Sequence, residues 1–155
     1  MSTVLPVLLA PVPAAHLEDG FEVCQAEGEV AFGSRAFDVF LELDALRQGQ
    51  PIEAYIYASH DHERTGGAKV SWRARYIRRE SALLGGSHPD PHRFRPPSTW
   101  AEDGQGYWLL FWHVADLRRL PPGEEIWTSD FRDRRLGRRA PQPYAPEGPM
   151  LKLYP

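Results

Sequence analysis

The chain is poor in cysteine, in lysine and in long apolar runs, and each shortage excludes something. Cys24 is the single cysteine among 155 residues, which rules out an internal disulfide and a cysteine-rich zinc site. A reducing compartment, the cytoplasm, is the expected location. The apolar stretch from Val4 to Leu9 lacks a basic leader and is interrupted by Pro6, with Pro11 and Pro13 close behind. It falls short of the ~20 apolar residues of a spanning helix and does not have the layout of a signal peptide, so no membrane partner is expected. Lysine is nearly absent, with Lys69 and Lys152 set against sixteen arginines. Arginine suits planar, bidentate contacts to phosphates and bases, although a genome rich in G and C produces the same bias. The net charge of −3 argues against a protein that coats nucleic acid without selectivity.

What is present is an ordinary globular composition, 42% hydrophobic and 25% charged. Fifteen prolines and thirteen glycines favour many short elements joined by turns. A chain of this length fits one domain, residues 1–155, with a core that folds without staples. Strands are predicted at Val4–Ala10, Glu29–Phe32, Ile52–Ser59, Val70–Ile77 and Tyr107–Val114, with edge pieces at Glu125–Thr128 and Pro149–Tyr154. The clearest period of two runs through Val70, Trp72, Ala74 and Tyr76, with Arg73 and Arg75 opposite. A helix is predicted from Ser34 to Arg47, with Ser34 as N-cap and Phe37, Phe40, Leu41, Leu43 and Leu46 on one face. His16 to Phe21 suggests one helical turn. From Ser81 to Gly106 the pairs Gly85-Gly86, His88-Pro89, Asp90-Pro91 and Pro96-Pro97 mark a long loop, and loops of that length in compact domains are usually functional or disordered. The expected class is α+β, with a small closed β-barrel of five or six strands flanked by two or three helices.

The order of short motifs then carries a resemblance. Val7-Leu8-Leu9 is followed by Ala15-His16-Leu17-Glu18, by Phe32-Gly33-Ser34-Arg35 opening the helix, by Gly49-Gln50-Pro51-Ile52 and by Tyr55-Ile56-Tyr57-Ala58-Ser59. A Val/Ala/Arg-rich strand comes next, then Trp100 to Trp108 in a glycine-rich loop before an aromatic strand. This succession resembles the EVE and YTH branches of the PUA-like superfamily over nearly the whole chain. The tryptophan that those families carry just before the Gly-x-Arg step is replaced here by Ala31 or Phe32.

The resemblance implies a non-catalytic reader that inserts an extruded, modified or methylated base of DNA or RNA between aromatic side chains, with no cofactor and no metal. An effector protein often accompanies such a domain. The implied pocket combines Phe32, Gly33, Ser34, Arg35, Tyr57, Ser59 and Trp100. Trp100 serves there as a pocket wall or a loop anchor, and Ser59 meets a base edge or caps a turn. Asp130 accepts a hydrogen bond from a proton-bearing base nitrogen, or serves as an N-cap or turn former. Arg132, Arg134, Arg135, Arg138 and Arg139, opposed only by Asp133, form either a solvated loop or a phosphate contact with steep salt dependence. Trp72, Trp108, Trp112 and Trp127 are read as core or strand residues. The run His60-Asp61-His62-Glu63, with His88 and His92, has metal-ligand chemistry but no fixed second shell and is read as an exposed run before a turn. Two alternatives remain open: a small hydrolase of the related ASCH branch acting on modified nucleosides through Lys69, Thr65 and Glu63, and a protein-interaction module.

Overall fold

The period-two pattern around Trp72 becomes one strand of a long, curled sheet. The computed structural model describes residues 4–59, 68–134, 137–138, 146 and 148–155. In chain order the strands are β1 (Val7–Val12), β2 (Val30–Ser34), β3 (Ile52–Ala58), β4 (Lys69–Val70), β5 (Trp72–Ser81), β6 (Leu110–Arg119), β7 (Ile126–Trp127) and β8 (Met150–Lys152). The helices are α1 (Ala14–Glu27), α2 (Phe37–Arg47) and the single turn α3 (Pro91–Phe94). Six strands form one sheet in the order β2-β6-β5-β3-β1-β8, and β4 and β7 form a separate ribbon. β1 runs parallel to β3, with Leu8 opposite Ala54 and Ala10 opposite Ile56. A parallel pair needs a long crossover, and α1, β2 and α2 supply it. The β5–β6 pair shifts register twice, between Arg73 and Arg75 and between Tyr76 and Arg78. Bulges of this kind increase twist and bend the strands, and the sheet curls into a half-barrel.

Val70, Trp72, Ala74 and Tyr76 are all buried, as the alternation predicts. The main core lies on one face of the sheet, where Trp112 sits 5.1 Å from Phe32 and 5.9 Å from Phe40, centroid to centroid. A smaller core of Val7, Leu9, Tyr55, Tyr57, Ala68, Val70 and Phe131 forms on the other side. Asp44 staples α2 to β5, accepting from Tyr76 Oη at 2.8 Å and from Arg79 Nε at 2.6 Å.

Several sequence expectations shift. The α+β class agrees, as do the three helices among the described residues, and the sheet is a half-barrel. The half-barrel is compatible with the small barrel expected, and among the described residues no pairing joins the edge strands β2 and β8 to close it. The single turn expected at His16–Phe21 is a fourteen-residue helix. Its buried stripe is only Leu17, Gly20 and Cys24, too thin to register as amphipathic, and Gly20 is there because the Phe32 ring packs against it, 3.2 Å from where a Cβ would sit. Ser34 belongs to β2, and α2 begins at Phe37. Ser34 Oγ still accepts the Ala36 N–H at 3.0 Å, so it caps the turn rather than the helix. Phe40 and Leu43 are buried while Phe37 and Leu41 stay exposed. The strand expected from Tyr107 starts at Leu110 and runs on to Arg119. Its Leu110–Val114 portion is buried on both faces. Leu110, Trp112 and Val114 enter the main core, while Phe111 and His113 pack beneath the 85–106 segment. No helix among the described residues is long and apolar enough to cross a membrane.

Candidate functional site

The 85–106 segment is held to the sheet by polar groups that are almost fully buried. Arg95 donates through Nε and Nη2 to both carboxylate oxygens of Asp103, at 3.1 and 2.8 Å, and through Nη1 to the Ala31 carbonyl at 3.0 Å. The two side chains are only 2% and 7% exposed. Arg95 also lies over the Phe111 ring at 4.9 Å. Beside it, the Asp90 N–H donates to His88 Nδ1 at 2.8 Å. That bond leaves the His88 proton on Nε2, from which it is donated to His113 Nε2 at 2.9 Å. His113 in turn donates from Nδ1 to Glu29 Oε1 at 2.7 Å. One backbone N–H thus sets both tautomers. Burial lowers the His113 pKa to about 4, with the charge of Arg78 acting in the same direction and Glu29 opposing. Burial lowers His88 as well, again with help from nearby arginines.

The Gly85-Gly86 turn is pinned to the far end of the same segment. Gly106 N–H donates to the Gly85 carbonyl at 2.7 Å, and Ala82 N–H donates to the Leu109 carbonyl at 3.0 Å. A Cβ on Gly86 would sit 3.0 Å from the Gly106 backbone, so the close approach needs glycine. These bonds hold Tyr107 and Trp108 over the end of β2, with their rings 4.6 Å apart and nearly perpendicular. The Trp108 indole lies on Gly33, where an added Cβ would fall 2.5 Å from Cε2.

Two adjoining cavities result, sharing Pro11, Gly33, Tyr107 and Trp108 as walls. The larger, about 520 Å3, has a mostly apolar lining of Pro11, Val12, Pro13, Phe32 and the two aromatics, edged by His16, Arg95, Glu102 and Gln105. The second, about 470 Å3, is bordered by Ser34, Arg35, Ser59 and Pro149. Both sizes lie within the range of small-molecule sites, roughly 300–1,000 Å3. Arg35 borders this second cavity, exposed, with Nη1 donating to the Tyr107 carbonyl at 2.6 Å and its guanidinium 5.2 Å from the Tyr107 ring. Leu83, Leu84, Tyr107 and Leu109 are exposed on the adjoining paired segments.

Of the residues expected in the pocket, Phe32, Gly33, Ser34, Arg35 and Ser59 line one or both cavities. The other three lie elsewhere. Tyr57 is buried in the second core, where its hydroxyl donates to the Pro146 carbonyl. Trp100 is not among the residues lining either cavity: its indole N–H donates to the Arg95 carbonyl at 3.1 Å and its ring packs 4.6 Å from His92. Asp130 ends the 3-10 turn Thr128–Asp130, away from the cavity lining. In the arginine run, Arg132 donates to the Tyr154 carbonyl at 3.3 Å and Arg134 pairs with Glu42 at 2.7 Å. The Arg138 carbonyl accepts the Asp133 N–H, and Arg135 and Arg139 lie outside the described residues. So do His60, Asp61, His62, Glu63 and Thr65. Lys69 stacks over Trp127 at 4.6 Å in the β4–β7 ribbon.

Among the lining residues that sequence reasoning missed are Trp108, Tyr107, His16, Arg95, Glu102 and Gln105, together with the apolar Pro11, Val12 and Pro13. A signal for Trp108 existed. It follows Gly104-Gln105-Gly106, and a tryptophan in a glycine-rich loop has less reason to be core than one within a strand, for Trp108 as for Trp100. Gly33→Ala tests the wall directly. The substitution is expected to push the indole off β2 at a cost of about 1–3 kcal/mol, with a changed near-UV circular dichroism spectrum. An unchanged spectrum and stability would show that Trp108 is not seated there. Comparison of the chain with protein-family models, with curated proteins and with solved structures gives no match in any of the three.

Proposed function

We propose that this protein is a nucleic-acid-binding domain that holds one extruded base in the Trp108 cavity. The observation that carries the reading is the indole wall itself, fixed on Gly33 and facing the apolar surface of Pro11, Val12 and Phe32. A base inserted there stacks on an aromatic face, an interaction worth roughly 1–3 kcal/mol per base. A methyl group on that base adds apolar contact with the prolines and Val12. Arg35, on the adjoining cavity beyond Tyr107, offers an exposed guanidinium to a neighbouring phosphate. The hydrolase alternative is less favoured, because Lys69 is engaged with Trp127 and is not among the residues that line either cavity.

The test is binding of labelled DNA and RNA oligonucleotides, with and without methylated bases, to the wild type and to Trp108→Ala. The variant is expected to lose about tenfold or more in affinity, the size of one stacking contact. Binding that is indifferent to Trp108, or absent at low salt, would overturn the reading.

A further inference from the structure

The polar rim of the larger cavity is not a random scatter of groups. His16 lies in the first turn of α1 with its side chain 17% exposed, and Glu102 faces it with its side chain 62% exposed. His16 Nδ1 is 2.8 Å from Ser98 Oγ. Ser98 is itself held in place, its backbone N–H donating to Asp19 Oδ2 at 2.9 Å. The other ring nitrogen, Nε2, points toward Glu102 Oε2 at 3.9 Å. That separation is too long for a direct hydrogen bond, so each group retains capacity for a third party. The Ser98 hydroxyl has one proton and two acceptors in reach, Nδ1 at 2.8 Å and the Ala15 carbonyl at 3.4 Å. The shorter contact takes it, so Nδ1 accepts and the His16 proton sits on Nε2, on the side of the acceptor-only carboxylate. Burial lowers the His16 pKa, Glu102 opposes that shift and the Arg95 charge reinforces it, so the ring is neutral at neutral pH. The cavity edge therefore presents one N–H donor and one acceptor-only carboxylate side by side, across from an apolar floor.

We infer that His16 and Glu102 read the hydrogen-bonding edge of the bound base, so that the ligands are bases whose pairing edge offers an N–H beside an acceptor atom, any modification leaving that N–H in place. This rests on the base-binding reading above and sharpens it to a chemical class. The donor of His16 meets a ring nitrogen or carbonyl oxygen of the base. The carboxylate of Glu102 demands an N–H from the neighbouring position. A base that has lost that N–H to alkylation leaves the carboxylate facing a methyl group, and an unmatched polar partner is rejected far more strongly than a missing apolar contact. Substituents elsewhere on the ring fall on Pro11, Val12 and Phe32 and are tolerated or favoured.

The experiment uses two pairs of neutral nucleosides with the full-length protein. 5-Methyluridine and 3-methyluridine are isomers that differ only in which edge carries the methyl. N6-methyladenosine keeps one exocyclic N–H, and N6,N6-dimethyladenosine has none. Binding is followed by tryptophan fluorescence in the wild type, in Glu102→Ala and in Trp108→Ala. Glu102 is exposed, so its alanine variant is expected to fold. In at least one pair the member with the N–H is expected to bind about tenfold or more tightly, with that preference lost in Glu102→Ala. Equal binding within each pair that binds, still dependent on Trp108, would sink the edge inference and leave the base pocket standing. A preference that persists in Glu102→Ala would also overturn the inference. No binding by any of the four would remove the pocket reading and the edge inference together.

Discussion

Asp103→Ala is expected to destabilise the protein by about 3–5 kcal/mol, the typical cost of breaking a buried ion pair by removing one partner. Arg95 is 2% exposed and has Asp103 on two of its nitrogens and the Ala31 carbonyl on a third. Without the carboxylate, a full charge remains in a place where water cannot solvate it. The Coulomb attraction lost is smaller than the desolvation penalty left behind, so the size of the effect comes from the orphaned guanidinium. The double variant Arg95→Met, Asp103→Leu is therefore expected to be more stable than Asp103→Ala, because hydrophobic replacement of a whole buried pair is often close to neutral. Urea denaturation of the three proteins checks both statements. A cost below about 1 kcal/mol for Asp103→Ala, the level of an exposed pair, would mean that the pair is open to solvent. The same change should weaken ligand binding, since Arg95 borders the cavity and fixes the segment that carries Trp108.

Acid should destabilise the fold between pH 6.5 and about 4, and His113 should account for much of that loss. Its folded pKa is depressed from 6.5 to about 4, so within that window the unfolded chain binds a proton that the native chain refuses. Stability then rises with pH, at up to 1.36 kcal/mol per pH unit for one such group. The full shift corresponds to on the order of 3 kcal/mol. The structural reason is the direction of the chain from Asp90 through His88 and His113 to Glu29. A second proton on His113 would put two N–H groups against each other across the 2.9 Å Nε2–Nε2 contact. Burial also raises the Glu29 carboxyl, but its bonds to Arg78 and His113 outweigh that and hold its pKa below the usual range. Its contribution is accordingly lost only at still lower pH. His113→Phe is expected to cost about 1–3 kcal/mol at pH 7, because the His88 N–H loses its acceptor. It should also flatten the acid limb by about one proton. Denaturation at pH 7, 6, 5 and 4.5 measures this, and equal slopes in the two proteins would contradict it.

The elements most legible in the sequence are those whose signal is local. The alternation through Val70, Trp72, Ala74 and Tyr76 gave the correct buried face, because a half-buried strand writes its environment into every second residue. In β3 the alternation instead separates two buried faces, with Ile52, Ala54 and Ile56 in the main core and Tyr55 and Tyr57 in the smaller one, and the Gly49–Pro51 stop marks the end of α2. Phe32-Gly33-Ser34-Arg35 and Ser59 meet at the cavities as expected, since they flank elements whose ends could be read. α1 was underestimated because a helix lying on a sheet needs only a thin apolar stripe, and glycine at its centre looks like a breaker until Phe32 is seen against it.

The site itself was legible only in part. Trp100 and Trp108 are eight positions apart in one glycine- and proline-rich loop, and composition cannot tell which of them turns inward. The choice is made by the Arg95 carbonyl, which captures the Trp100 indole N–H, and by the bare face of Gly33, which admits the Trp108 ring. His16 with Ser98, Arg95 with Ala31, and His113 with Glu29 are pairs 82, 64 and 84 residues apart. No periodicity connects residues so distant.

By itself, then, the sequence determined a single cysteine that cannot pair within the chain, an arginine-rich polar surface, an α+β class and the faces of its regular strands. These follow from composition and from short-range repeats, which act before any long-range contact forms. Only the tertiary structure decided that the sheet curls into a half-barrel, which tryptophan lines the cavity, which histidines are buried as neutral partners, and which donor and acceptor share its edge. Those outcomes depend on burial and on hydrogen bonds between distant segments, whose energies exist only once the chain has brought the partners out of water.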